Sequence, residues 1–133
     1  MEITKGRPFF VIERERFVAR FPDHGADLEQ LRDQDIYVTV VGGPTYYVSL
    51  MTLDAIDAVL RRWAHTGEAA GGRYFYTTDL VITPRPGITA MIEAIEGLVR
   101  EGELGSACQI IPDPNDGPDA ASWRHTRPAA NAD

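Results

Sequence analysis

The residues of this chain that could carry acid–base chemistry begin with a pair of glutamates near the N-terminus. Glu13 and Glu15 are two positions apart in "ERER", so their carboxylates would share one face of an extended segment, as a general acid and base require. They alternate with Arg14 and Arg16, and an alternating charged stretch is typical of a solvated edge or bend. We therefore predict a charged bend here and no catalytic pair.

Metal binding and nucleophilic catalysis lack a recognisable pattern. His24, His65 and His125 are scattered along the chain, and none has a partner at the i, i+4 spacing of a helical metal site. Cys108, the only cysteine, excludes an internal disulfide, and its apolar setting predicts a small buried residue. The paired glycines of "GGPT" and "GGRY" match no phosphate-binding loop. We predict no catalytic residue, no metal and no cofactor.

The charge and length of the chain limit the partners it can have. At 133 residues the sequence predicts one domain, and its net charge of −7 comes from 20 acids against 13 bases. This balance disfavours nucleic acid and anionic lipid as partners. No apolar run approaches the roughly 18 residues of a membrane span, and no secretory signal begins the chain. Together with the single cysteine, these features predict a cytoplasmic protein.

The clearest predicted element is a β-hairpin in "DIYVTVVGGPTYYVSL". A three-residue loop, residues 42–44, places every aliphatic side chain on one face, and a five-residue loop keeps the same pairing. The pairs predicted by this loop are Val40 with Tyr46, Val38 with Val48, and Ile36 with Leu50. The opposite face then carries Tyr37, Thr39, Val41, Thr45, Tyr47 and Ser49.

Two amphipathic helices are predicted by apolar residues at helical spacing. The first begins after Thr52, a good N-cap residue, and ends at Gly67. The second follows the prolines of "TPRPG" and ends at Gly102. Their apolar stripes consist of Leu53, Ile56, Val59, Leu60 and Trp63 in the first, and of Ile88, Met91, Ile92, Ile95, Leu98 and Val99 in the second.

Weaker patterns predict the remaining elements. Residues 8–12 read as a strand that is followed by a bend and a second strand ending at Pro22, or as one long bent strand. Leu28 and Leu31 predict a helix of about two turns. "SACQII" predicts a short edge strand, and residues 112–133, which include Trp123, predict a tail rich in Pro, Asp and Ala.

The stretch "GGRYFYTTDLVIT" is predicted to be a strand after a glycine-rich turn. If it is regular, Tyr74, Tyr76, Thr78, Leu80 and Ile82 face the core. Its other face then carries Arg73, Phe75, Thr77, Asp79, Val81 and Thr83. A bulge at residues 77–78 would reverse the phase of the second half.

These elements predict an α+β fold with two layers. We expect a mostly antiparallel sheet of about four to five strands, with two main helices and one short helix packed on one face. Residues 1–111 form the predicted domain and residues 112–133 the tail. Because the helices would cover one face only, the other face would leave aromatic side chains in need of a cover.

This uncovered face is the predicted binding site, and it consists of Tyr37, Thr39, Tyr47, Ser49, Arg73, Phe75, Thr77 and Asp79. The predicted function is therefore a small non-enzymatic binding domain that associates with a protein partner or with itself through an aromatic sheet face. An acidic domain suits a basic partner, as in the bacterial immunity proteins that neutralise toxins.

Two other functions stay open at this point. One is a small enzyme whose site lies between the sheet and the N-terminal segment and uses Asp79, His24 or the Glu13–Glu15 pair. It predicts a concave pocket with a carboxylate of perturbed pKa. The other is a structural subunit of a larger assembly.

Overall fold

A computed structural model describes residues 3–6 and 8–112 of the chain. The predicted tail, apart from Pro112, lies outside the described residues, and so does Trp123. Within the described part, none of the helices has the length and apolar character needed to span a bilayer.

The described strands form one open sheet of seven strands, ordered β1-β2-β3-β4-β5-β6, with β7 also paired to β5. All neighbours are antiparallel except β5 and β6, which are parallel. The strands are β1 (Ile3–Gly6), β2 (Phe9–Glu13), β3 (Phe17–Pro22), β4 (Asp33–Val40), β5 (Thr45–Thr52), β6 (Leu80–Thr83) and β7 (Ile110–Ile111). The predicted α+β class and mostly antiparallel sheet are confirmed, whereas the predicted strand number is too low.

The strand that no sequence pattern indicated is β1, whose residues Ile3, Thr4 and Lys5 are all exposed. An outer strand with no buried face shows no alternation of apolar and polar residues. The sequence pattern therefore gave no reason to predict it.

The β4–β5 hairpin has the predicted faces in a different register. Val38 pairs with Tyr46 and Ile36 with Val48, so each pair is shifted by two residues from the predicted one. The amide of Gly43 donates to the carbonyl of Val40 at 2.8 Å, which places the turn earlier than residues 42–44. A shift of two keeps every side chain on its predicted face, because the side-chain period of a strand is two.

One face of the sheet, the first face, is covered by the helix α3 (Ile88–Arg100). The apolar stripe of this helix is buried together with aliphatic and aromatic side chains from β2 to β5. The fully buried members of this core are Ile12, Phe17, Phe21, Ile36, Val38, Val48, Leu50, Ile88, Met91 and Ile95. The prediction for this helix and for the aliphatic face of the hairpin is confirmed.

The helix α1 (Leu53–Thr66) begins and ends as predicted. The hydroxyl of Thr52 accepts a hydrogen bond from the amide of Ala55 at 3.1 Å, and Gly67 ends the helix in a left-handed conformation. However, the prediction that this helix packs on the same face of the sheet as α3 is wrong. Trp63 lines a cavity with Ser49 and Met51, which alternate with the core residues Val48 and Leu50 along β5. The helix α1 therefore covers part of the opposite face, the second face.

The segment after α1 does not form the predicted long strand. A short turn of helix, α2 (Glu68–Gly72), contains consecutive left-handed residues, and residues 73–79 have no regular secondary structure before β6 begins. Tyr74 and Tyr76, predicted to face the core, are 54% and 76% exposed. In β6 the buried and exposed positions are reversed relative to the regular strand that was predicted: Thr83 is buried and Ile82 is exposed.

Two smaller elements complete the described chain. The predicted two-turn helix around Leu28 is only a 3-10 turn (Leu28–Gln30), which the side chain of Asp27 caps. A short helix, α4 (Leu104–Ala107), was not predicted and leads into β7, which confirms the predicted edge strand in "SACQII". The bend between Glu13 and Phe17 is also confirmed, since residues 13–16 are exposed.

Candidate functional site: an acidic and aromatic trough on the second sheet face

Aromatic rings from three strands lie in a row on the second face. Tyr37 and Tyr47 are cross-strand partners whose ring centroids are 5.5 Å apart at an interplanar angle of 67°. Phe9 of β2 contacts Tyr37 from the other side, with centroids 5.6 Å apart in an edge-to-face arrangement. Phe9 and Tyr37 are buried, whereas Tyr47 is half-buried. This row of rings forms the apolar base of a concave site.

We call this site the acidic trough, and its volume is about 480 Å³. The N-terminal half of β4 supplies much of its floor, because a strand that starts at Asp33 places alternate side chains on the same face as Tyr37. The floor residues on this face are Asp33, Asp35, Tyr37 and Tyr47, and Gln34, which has the opposite parity on β4, also borders the cavity.

The wall of the acidic trough comes from the open end of the β2–β3 pair. Phe9 and Pro22 are cross-strand partners there, and the chain turns away from the sheet immediately after Pro22. The amide of Asp23 donates to the carbonyl of Pro8 at 3.0 Å, which holds the turn against β2. The wall residues are Pro8, Phe9, Pro22, Asp23 and His24.

The wall carboxylate Asp23 is fixed by two donors. The amide of Gly25 donates to its Oδ1 at 3.1 Å, and Lys5 Nζ lies 3.2 Å from its Oδ2. The hydrogen bond from Gly25, followed by that from Lys5, lowers the pKa of Asp23 below its ordinary value. Asp23 is therefore a fixed negative charge at neutral pH.

The floor carboxylate Asp35 is tied to β5. The buried hydroxyl of Ser49 donates to Asp35 Oδ1 at 2.8 Å, between two cross-strand partners. Asp33 lies two residues earlier on the same strand, so both side chains project from the same face. Among the described residues, the lining of the trough thus combines three carboxylates with aromatic rings, and one of these carboxylates, Asp23, is paired with Lys5.

This arrangement suits a cation. Carboxylates form charge-assisted hydrogen bonds with guanidinium and ammonium groups, and aromatic faces attract the same groups. The described residues contain no group of three His, Cys, Asp or Glu side chains that could hold a metal ion.

The enzyme alternative predicted a concave pocket with a carboxylate of perturbed pKa near one of its candidate groups. The trough contains the candidate His24 together with Asp23, whose pKa is lowered. Glu13 and Glu15 lie at the opposite end of the β2–β3 pair, where Glu15 lines a different cavity with Glu96 and Arg100. The predicted carboxylate–histidine site thus retains only His24 and a different carboxylate.

The predicted binding residues fall into two groups. Tyr37 and Tyr47 line the acidic trough, and Ser49 contacts it through Asp35. Thr39 continues the second face beyond the trough, where it accepts from Arg20 Nη1 at 2.9 Å and shares a 2.8 Å hydrogen bond with Thr45.

The other four predicted residues lie in or next to the irregular segment, residues 73–79. Phe75 is half-buried and stacks on Trp63, with centroids 5.7 Å apart and planes 28° from parallel. Asp79 has a structural position: its Oδ1 accepts from the amide of Gln109 and its carbonyl from the amide of Ser49, both at 2.8 Å. Arg73 is exposed and Thr77 is half-buried. None of these four described residues lines the acidic trough with the tyrosines.

The sequence prediction missed Asp33 and Asp35, although a signal for them existed. Both have the same parity as Tyr37, so extending the alternation of β4 by one more pair would have placed them beside the tyrosine. Asp23 and Phe9 carried no such signal, because they reach the trough through the pairing of β2 with β3 and of β3 with β4.

Cys108 is buried, as predicted, and is far from nucleophilic. Burial, with a smaller contribution from the charge of Asp79, raises the pKa of its thiol to about 12. The thiol donates a long hydrogen bond to the carbonyl of Asp79. It is a packing residue at the sheet edge.

Comparison with protein-family models, curated proteins and solved structures finds no match to this chain. The chemistry of the acidic trough is therefore the basis for assigning a function.

Proposed function

We propose that this protein is a non-enzymatic binding domain that associates with a basic protein partner through the acidic trough. The observation that carries the proposal is the described lining of the trough, in which the carboxylates of Asp23, Asp33 and Asp35 lie around a row of aromatic rings. Aromatic residues at the centre of a contact and complementary charge around it are the features of a specific protein interface.

A basic partner explains the trough better than a second copy of the chain. Two copies meeting through this face would bring three carboxylates from each side together, which is unfavourable. A Lys or Arg side chain would instead pair with Asp33 or Asp35 and lie against Tyr47, the trough tyrosine that is half-buried. The net charge of −7 adds a long-range attraction for such a partner.

The setting that suits this interaction is the cytoplasm. The single cysteine is buried and reduced, and a domain without disulfides fits a reducing compartment. The association we propose is reversible and weakens with salt, because the carboxylates of an open sheet face are screened by ions.

The proposal is tested with a fluorescein-labelled octa-arginine peptide as the probe. Fluorescence anisotropy in low salt should show saturable binding to the wild type, and 0.5 M NaCl should weaken it at least tenfold. The variant Asp33→Asn/Asp35→Asn should bind at least about tenfold more weakly, because both changes remove a charge and keep the side-chain shape.

The matched control is Glu93→Gln/Glu101→Gln on the other side of the molecule. It removes the same amount of charge from exposed positions at α3 and should change binding less than about twofold. Equal losses in both double variants would mean that only net charge attracts the peptide. That result would contradict a site at the acidic trough.

A further inference from the structure

The C-terminal tail contains a basic and aromatic segment, although the chain as a whole is acidic. Residues 120–132, "AASWRHTRPAANA", include Trp123, Arg124 and Arg127 but no Asp or Glu, whereas the whole chain has a net charge of −7. We call these residues the basic segment, and they lie outside the part of the chain that the structure describes. Guanidinium and aromatic groups are the side-chain types that the acidic trough suits.

The acidic trough has a complementary group for each of these side-chain types. Asp33 and Asp35 project from the same face of β4, and a carboxylate accepts two parallel hydrogen bonds from a guanidinium group. Tyr47 is half-buried, so part of its ring surface is accessible to an indole. The trough volume of about 480 Å³ lies within the roughly 300–1,000 Å³ of pockets that hold a ligand. The trough can therefore receive an arginine and a tryptophan side chain together.

The described chain ends within reach of the trough. Ile111 of β7 pairs with Thr45 of β5. Asp35 lies one strand further across the sheet, where it pairs with Ser49. Ordinary strand spacings therefore put the Cα atoms of Ile111 and Asp35 roughly 17 Å apart. The eleven positions from the end of the described chain to Trp123 can span up to about 36 Å when extended, which is enough for the chain to turn back over the sheet.

We propose that the basic segment binds the acidic trough of its own chain and competes there with the basic protein partner. Arg124 or Arg127 pairs with the carboxylates of Asp33 and Asp35, and Trp123 packs against the row of aromatic rings. This regulation rests on the proposed function of the trough, since the partner must displace the segment before it can bind. Because the segment is tethered, its effective concentration at the trough is on the order of millimolar, so a weak interaction suffices to occupy the site.

The first test follows the indole N–H resonance of Trp123 in ¹H–¹⁵N spectra of the full chain. The chain has two tryptophans, and the resonance that is lost in Trp123→Phe belongs to Trp123. The trough variant, Asp33→Asn/Asp35→Asn, should move this resonance to its position in a synthetic peptide of the tail, because the arginines have lost their carboxylate partners. Glu93→Gln/Glu101→Gln removes the same charge at α3 and should leave the resonance in place. A tenfold dilution should also leave it in place, because binding within one chain does not depend on protein concentration.

The second test measures the binding of octa-arginine by fluorescence anisotropy. The tail variant, Arg124→Gln/Arg127→Gln, should bind octa-arginine about fivefold more tightly than the wild type, because the trough no longer has to be vacated first. Its control, Arg85→Gln/Arg100→Gln, removes the same charge from exposed ion pairs at α3 and should change the affinity less than about twofold.

Four results would overturn the proposal. They are a Trp123 resonance that does not respond to the trough variant, an unchanged octa-arginine affinity in the tail variant, an equal gain in its control, and a resonance that shifts on dilution. The last result would mean that the segment binds a second copy of the chain. The proposed function would survive all four, provided that the trough variant weakens octa-arginine binding. Conversely, a Trp123 resonance that responds to the trough variant, in a chain that does not bind octa-arginine in any form, would support binding of the segment and contradict the proposed function.

Discussion

Tyr37 and Tyr47 are direct partners across β4 and β5, and their rings meet edge to face with centroids 5.5 Å apart. Their burial differs, because Tyr37 also contacts Phe9 and is 4% exposed, whereas Tyr47 is half-buried. The ring of Tyr37 is therefore packed inside the protein, whereas the ring of Tyr47 is partly accessible to a binding partner.

We expect this difference to appear in stability. Tyr37→Ala should lower the free energy of unfolding by about 3 kcal/mol, because it removes a buried ring and its aromatic contacts. Tyr47→Ala should lower the free energy of unfolding by clearly less than Tyr37→Ala does. Urea denaturation followed by circular dichroism measures both, with Tyr76→Ala as an exposed control expected to stay within about 0.5 kcal/mol of the wild type. Equal losses at Tyr37 and Tyr76 would contradict the observed burial.

The N-cap of α1 gives a second expectation. The Thr52 hydroxyl is buried and accepts from the amide of Ala55, so Thr52→Ala should lower the free energy of unfolding by about 1 kcal/mol. Thr52→Ser keeps the acceptor and should retain most of this stability. Chemical denaturation of the two variants in parallel measures this difference. A serine variant as unstable as the alanine variant would show that the methyl group of Thr52, and not its hydroxyl, provides the stability.

Adjacent glycines after α1 allow a matched test of space against backbone conformation. Gly71 and Gly72 have similar positive φ angles of 76° and 79°. A Cβ at Gly72 would lie 2.3 Å from the carbonyl oxygen of Leu60, whereas a Cβ at Gly71 would meet nothing within 4 Å. Gly71→Ala should therefore cost about 1 kcal/mol, from the left-handed conformation alone. Gly72→Ala should lower the free energy of unfolding by at least twice as much. Similar losses of stability for the two variants in thermal unfolding would contradict the close approach of residue 72 to α1.

The buried thiol provides a pH-dependent expectation. Because the pKa of Cys108 is raised to about 12, the folded state favours the neutral thiol. Its contribution to stability is present below the pKa of the unfolded thiol, about 8.5, and is lost as the pH rises toward 12. Cys108→Ala should therefore show a smaller fall in unfolding free energy above pH 9 than the wild type.

Thiol labelling gives an independent check of the same burial. At pH 8 the native protein should react with a disulfide reagent at least about a hundredfold more slowly than the protein in denaturing urea. Rapid labelling of the native chain would mean that the thiol is accessible and ionised, contrary to its burial and its contact with the carbonyl of Asp79.

The faces of the hairpin could be predicted from the sequence, whereas its register could not. Alternation places Val38 and Val48 on the core face in both the predicted and the observed register, which differ by two residues. The sequence pattern therefore cannot distinguish between the predicted and the observed pairs. The stripe of α3 was predictable for a related reason: six apolar residues at helical spacing have one consistent buried face.

The side of α1 and the path of residues 73–79 were not predicted. A helix between two neighbouring parallel strands is a crossover connection, and the choice of face depends on β6 lying parallel to β5. Tyr74, Phe75 and Tyr76 imitate the alternation of a strand, yet the left-handed turn at residues 69–72 directs the chain along α1. The order of strand, helix and strand was a usable signal for this parallel pair, which the prediction of a mostly antiparallel sheet did not specify.

The position of Asp79 has a consequence for the order of folding. Ser49 and Gln109 lie thirty residues before and thirty residues after it in the sequence, and both donate their amides to it. Two long loops must therefore close before this edge of the sheet exists, whereas the β4–β5 hairpin needs only its own short turn. The edge at β6 and β7 is thus the part of the sheet to assemble last and to open first.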